Sequence, residues 1–121
     1  MNGNIFVGKY TKSTAFLAIF VPNIIAIMTT TLTITDQKGL ITAFDGDTAV
    51  GDLMFKLRDD GRIVITHTLT FEGNEGRGVG RLLVQAAVDY ARQHTLTVIP
   101  LCSFARHYME MRPELHYLIA D

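Results

Sequence analysis

The hydrophobic period of this chain changes once, and that single change limits the folds open to it. Between residues 31 and 70 apolar residues come in short β-branched runs separated by turns; from residue 79 they recur at helical spacing. Residues 31–35 (TLTIT) and 40–44 (LITAF) are strand-like. Asp45-Gly46-Asp47 reads as a tight turn, because Asp and Gly tolerate the backbone angles that a reversal needs. Residues 48–57 form the next strand, with Gly51 marking a bulge, and Asp59-Asp60-Gly61 turns the chain into a third strand at 62–70. Three strands joined by short turns imply an antiparallel meander.

Beyond a glycine-rich loop, Val79, Leu82, Leu83, Ala86, Tyr90 and Ala91 fall on one helical face, while Arg81, Gln85, Asp89 and Arg92 take the others. This helix should run from Arg77 or Gly78 to about His94. A short strand at 96–99 follows, bounded by Pro100. Ser103 is then the expected N-cap of a last helix that ends near Met111, before Pro113. The order β-β-β-α-β-α describes an α+β domain with a mainly antiparallel sheet. A length of 121 residues suits one domain, and an apolar fraction of 48% can supply its core.

Charge narrows the partners. The net charge is −1 and the basic residues are scattered, which argues against nucleic acid and against an anionic membrane surface. Cys102 is the sole cysteine, so no internal disulfide can form. His67, His94, His107 and His116 are too dispersed for a zinc ligand set, so no metal is expected, and a reducing, cytoplasmic setting is the default. Ala15–Met28 is apolar but is interrupted by Pro22-Asn23 and falls short of the ~20 residues of a membrane span. Lys9 and Lys12 precede it, yet no small-x-small cleavage site follows. The expected division is therefore a 1–27 apolar extension, lying upstream of a start at Met28, and a domain over 28–121. An extra strand or helix packed on the core is the alternative.

The strongest chemical signal is the loop Gly73-Asn74-Glu75-Gly76-Arg77-Gly78-Val79-Gly80-Arg81, set between a strand and a helix. Glycines allow close backbone approach, and the unpaired N–H groups of a helix start, aided by its dipole, favour a phosphate. Arg77 and Arg81 could add positive charge at the rim. The loop lacks the Gly-Lys-Ser/Thr ending of a P-loop. Its G-x-G-x-G spacing also differs from the dinucleotide fingerprint, and Asp89 comes too early for the ribose acid. A plain glycine turn that starts a helix is the alternative.

Gly76-Arg77-Gly78-Val79-Gly80-Arg81-Leu82-Leu83, after a strand ending in Thr-Leu-Thr, resembles the CoA-pyrophosphate loop of the GNAT acetyltransferase superfamily. Val98-Ile99-Pro100-Leu101-Cys102-Ser103-Phe104, with Arg112-Pro113-Glu114 later, is similar to the short YjdJ-type branch; the resemblance spans about residues 30–120. It implies a minimal GNAT-like fold, a CoA pyrophosphate held by Gly76, Arg77, Gly78, Val79, Gly80 and Arg81, and a pantetheine arm near the backbone of His67, Thr68 and Leu69. Glu75 stands where the superfamily pattern begins with Arg or Gln, and it should weaken CoA binding unless it points away or pairs with Arg77.

Three side chains are candidates for the chemistry of acyl transfer. Cys102 sits near the start of the last helix, where a thiol gains thiolate character, and could accept an acetyl group or lie beside the thioester; a small buried residue at a strand–helix joint is the alternative. His67 alternates with Ile63, Ile65 and Leu69 and should share their face, either as a structural histidine or as a general base. Tyr108 stands roughly where many GNAT enzymes place the tyrosine that protonates the CoA sulfur, or else packs beside Phe104 and Met111. Glu72 is a further possible base, or a solvated acid. The resemblance thus implies a small acetyl-CoA-dependent N-acetyltransferase acting on an unknown amine. Non-catalytic acyl-CoA binding or a protein-interaction role are the rivals.

Overall fold

The computed structural model describes residues 8–21 and 24–120, with side chains from residue 27 onward. Five strands come first: β1 (Gly8–Val21), β2 (Ile24–Thr35), β3 (Lys38–Asp45), β4 (Thr48–Leu57) and β5 (Arg62–Thr70). Helix α1 (Val79–Gln93), strand β6 (Thr97–Pro100), helix α2 (Ser103–Glu110) and a 3₁₀ turn (Pro113–Leu118) complete the order. The strands form one sheet in sequence order, antiparallel from β1 to β5 and parallel between β5 and β6.

The α+β class and the mainly antiparallel sheet match the sequence reading; the strand count does not. Among the described residues five strands precede α1 rather than three. Residues 31–35 and 40–44 belong to separate strands that reverse at Asp36 and Gln37, with φ of 56° and 66°. Such a two-residue reversal is normally announced by glycine, and none is present. The boundary expected at residue 28 falls inside β2, and the described part of the apolar stretch lies in β1 and β2. Residues 1–7, Pro22 and Asn23 of the expected extension lie outside the described residues. Among the described residues, no helix is long and apolar enough to cross a membrane.

The core lies between one face of the sheet and α1. Met28 and Leu32 of β2, Ile41 of β3, Leu53 and Phe55 of β4, and Ile63 and Ile65 of β5 meet Leu83, Val84, Ala87 and Val88 of α1. Fully burying one such Leu or Val contributes about 1.5–3 kcal/mol, enough for the apolar stripe of α1 to fix the helix on the sheet. The opposite face of the sheet is open: Leu40, Met54 and Leu69 are exposed there.

The register shifts between β1 and β2, at Lys12–Leu17, and again at two bulges nearer the helix. The β3–β4 register shifts so that Ala43 pairs with Gly51 and Phe44 with Ala49, which leaves Val50 as the extra residue, next to the glycine expected to mark it. Gly51 serves close approach instead: a Cβ there would come within 2.6 Å of the Leu69 carbonyl and of the Val79 side chain. The second bulge is in β5, where Met54 pairs with His67 but Phe55 with Ile65, so Thr66 is extra. An added residue moves every later side chain to the other face.

Gly51→Ala should therefore destabilise the protein by about 1–3 kcal/mol, the usual cost of overpacking, because one of the two obstacles is backbone. Urea unfolding of the variant checks this, with an unchanged m-value expected.

Candidate active site

The β5 bulge decides which residues meet at the glycine loop. Thr68, paired with the buried Leu53, faces the α1 side. His67 and Leu69 face the open side, and both are exposed. His67 consequently does not share a face with Ile63 and Ile65, as strict alternation requires; Thr66 reverses the phase between them.

Beyond the bulge, β5 has a free edge. Strand β6 pairs with it only over Arg62–Ile65, and the Leu101 and Cys102 N–H groups both donate to the Ile65 carbonyl, at 2.9 and 3.3 Å. The chain then turns into α2. Its N-cap is Cys102 rather than Ser103: the sulfur accepts the Ala105 N–H at 3.4 Å. A sulfur cap escapes a sequence reading that looks for oxygen acceptors. The half-buried Cys102 thiol also shares a 3.2 Å hydrogen bond with the Thr68 hydroxyl across the gap between the strands.

Next to this pair, a cavity of about 470 Å³ is lined by Thr68, Thr70, Gly76, Gly78, Gly80 and Arg81, with Asn74, Glu75, Val79 and Phe104. Gly78 caps α1 with φ 81°, a left-handed conformation that costs other residues roughly 1–2 kcal/mol. No side chain caps the helix and its first turn holds no acid, so the leading N–H groups open onto the cavity. A Cβ at Gly80 would meet the Phe104 ring at 2.8 Å, so the ring closes directly over the backbone. Glycines at a helix start, uncapped N–H groups and Arg81 together fit a pyrophosphate.

Arg77 is not part of that lining. Its guanidinium donates to Asp45 at 2.6 Å and to Asn74 at 2.8 Å, tying the loop to the β3–β4 turn. Glu75 does not pair with Arg77; it accepts the Gly73 N–H at 3.0 Å and remains at the cavity wall. Glu72 is exposed. Tyr108 is almost buried, 7% exposed, and its hydroxyl donates to Gln85 of α1 at 2.6 Å. The Arg112 guanidinium lies 3.7 Å above its ring. Burial raises the Tyr108 hydroxyl above its ordinary pKa of 10.0, against the opposing charges of Arg112 and Arg81. Thr68, Cys102 and the loop thus converge, whereas His67 and Tyr108 point elsewhere. Among the described residues no group of His, Cys, Asp or Glu could hold a metal ion.

The bulge also fixes the orientation of His67, through a residue that looks like any other in a strand. The Thr66 hydroxyl lies 3.2 Å from the Met54 carbonyl and shares a 3.1 Å hydrogen bond with His67 Nδ1, which orients the imidazole through that nitrogen.

A sequence model described as GCN5-related N-acetyl-transferase matches residues 41–118. The chain belongs to the GCN5-related N-acetyltransferase family. Solved structures agree on the fold. A GCN5-like protein from Staphylococcus aureus superposes with a TM-score of 0.55 at 29% identity, over 74% of this chain and 86% of that one. A GNAT-family protein from Desulfovibrio desulfuricans gives 0.52 at 14% identity, over 62% and 54%. Nourseothricin acetyltransferase gives 0.50 at 18% identity, over 87% and 71%. No curated protein matches the chain. The GNAT match covers β4, β5, α1, β6 and α2, the elements that carry the loop, the free edge and Cys102.

Two outcomes test this geometry. Asp45→Asn should cost the fold at most about 1 kcal/mol, since the pair is a third exposed, yet weaken acetyl-CoA binding by about fivefold by freeing the loop. Calorimetric titration beside thermal unfolding separates the two effects. Tyr108 should make stability fall at high pH: the unfolded phenol ionises near its ordinary value while the folded one resists, so its contribution is whole below pH ~10 and declines above it. The Tm of Tyr108→Phe should lose that part of the decline between pH 9 and 11.

Proposed function

We propose that this chain is an acetyl-CoA-dependent N-acetyltransferase of minimal size. One observation carries the reading: the uncapped start of α1 opens onto a cavity lined by Thr68, whose hydroxyl shares a hydrogen bond with Cys102 where β5 and β6 part. The N–H groups of Val79, Gly80 and Arg81 would take the pyrophosphate, with Gly76 and Gly78 supplying the close approach. The free edge of β5 at Thr68 and Leu69 would bind the pantetheine amides through backbone hydrogen bonds. Arg77 is then a positioning residue that sets the loop through Asp45. Hydrogen-bond donors along this edge would polarise the thioester carbonyl.

Acetyl-CoA brings an activated acetyl group as a thioester. The incoming amine forms a C–N bond to the carbonyl carbon as the C–S bond breaks, and the nitrogen gives up one proton. His67 Nε2 is the base we assign for that proton, acting from the open side of β5 across its free edge. Cys102 stands on the other side, beside the thioester, or takes the acetyl group itself before the amine does. Tyr108, bonded to Gln85, holds α2 against α1 rather than reaching the sulfur. The resemblance of the sequence to the short YjdJ-type branch at both His67 and Cys102 supports testing the two residues together. A lone free thiol in this role fits a reducing cytoplasm.

Calorimetry with acetyl-CoA tests the reading. Saturable binding by the wild type is expected, with loss in Gly78→Glu, which places a strained acid at the helix start. No wild-type binding would sink the proposal. Given binding, His67→Gln should lower kcat by about 10²–10⁴-fold, the usual contribution of a general base, while the Kd for acetyl-CoA stays put. Intact-mass analysis of wild type and Cys102→Ala after incubation with acetyl-CoA distinguishes the two roles of the thiol.

A further inference from the structure

A second cavity lies on the open face of the sheet, opposite the glycine loop. It has about 460 Å³ of space, within the usual range for a small-molecule site. Two cross-strand rows build it. One row runs Thr33–Leu40–Met54–His67 from β2 to β5, with Leu40 38% and Met54 47% exposed; the next holds Thr35, Lys38 and Lys56. Lys38 and Lys56 are direct register partners on β3 and β4, both exposed. Like charges placed opposite one another destabilise a sheet. No carboxylate among the described residues forms an ion pair with either ammonium; the acids nearest in sequence are Asp36, in the turn before Lys38, and Asp59, three residues beyond Lys56, whose carboxylate accepts from Gln37 at 3.0 Å. The groove therefore presents an apolar floor, a cationic row held in no ion pair at one end and an imidazole at the other.

We infer that this groove is the acceptor site, and that it selects an amine whose apolar body ends in a carboxylate. The inference rests on the acetyl-transfer reading for its role, though not for the binding itself. His67 in this groove and Thr68 in the loop cavity are consecutive residues on opposite faces of β5, at the stretch that β6 leaves uncovered. A molecule lying across Leu40 and Met54 can thus bring its nitrogen to His67 and reach around the free edge towards Cys102. Strands are spaced by about 4.8 Å and the lysine row is offset from the His67 row by two residues, about 6.7 Å along the strands, so the backbones of Lys56 and Lys38 lie roughly 8–12 Å from that of His67. That span suits an unbranched ω-amino acid with several methylenes.

The test uses 6-aminohexanoate, with hexylamine and hexanoate as controls. On protein labelled at its methionine methyl groups and backbone amides, 6-aminohexanoate and hexanoate should shift the Met54 methyl and the Lys38 and Lys56 amides, with or without acetyl-CoA. Hexylamine should not. In assays of thiol release from acetyl-CoA, 6-aminohexanoate should exceed hexylamine in kcat/KM by about tenfold, the scale of one charge-assisted pair. A Lys38→Gln, Lys56→Gln double variant should erase both the shifts and the preference, while Lys56→Arg keeps them and calorimetric acetyl-CoA binding persists in each. Equal turnover of the two amines, shifts confined to residues 73–81, or a double variant that behaves as wild type would overturn the inference. Absence of acetyl-CoA binding in the wild type would instead remove the acetyltransferase reading and leave the groove to be judged by the shifts alone.

Discussion

A single hydrogen bond organises the working part of this molecule: the Thr66 hydroxyl donating to the Met54 carbonyl. It seats the extra residue of β5, and that residue inverts the strand's facing for the rest of its length. Ile63 and Ile65 stay in the core, Thr68 turns to the glycine loop, and His67 turns to the open face. Without the bulge, a histidine would sit among aliphatic side chains against α1, at the cost of burying an imidazole there. With it, one strand serves two opposite surfaces within two residues, and the same hydroxyl holds the His67 ring through Nδ1.

The separation of β5 from β6 completes the arrangement. The Ile65 carbonyl receives two N–H groups from the departing chain, so parallel pairing ends there while β5 runs on to Thr70. The loss of strand partners on that edge is part of what makes the opening, and Cys102 bridges it through Thr68. The cysteine both caps α2 and bonds Thr68, so the start of that helix and the geometry of the thiol are set together.

Much of this was legible in the sequence. Aliphatic spacing at Val79, Leu82, Leu83 and Ala91 is dictated by burial, and it marked α1 to within two residues at its start. The glycine loop was legible because the left-handed backbone of Gly78 demands its residue type. The role of Arg77 was not, since a guanidinium beside a phosphate loop looks the same whether it meets the ligand or Asp45, thirty-two residues away in sequence. The face of His67 was misread because a bulge needs no special residue: Thr66 has the ordinary composition of a strand. The Asp36-Gln37 reversal was missed for the related reason that neither residue is a glycine. Register and long-range partners, rather than local propensity, account for each of these misses.

The tie between Arg77 and Asp45 has a consequence for the thermodynamics of recognition. A glycine-rich loop left to itself would keep broad backbone freedom until a ligand ordered it, and the ordering entropy would oppose association. Here Arg77 anchors the loop to a hairpin turn and to Asn74 as soon as the chain folds, while Glu75 closes it onto the Gly73 N–H. The conformational penalty is thus met during folding, and an anion bound there would meet a surface already in shape.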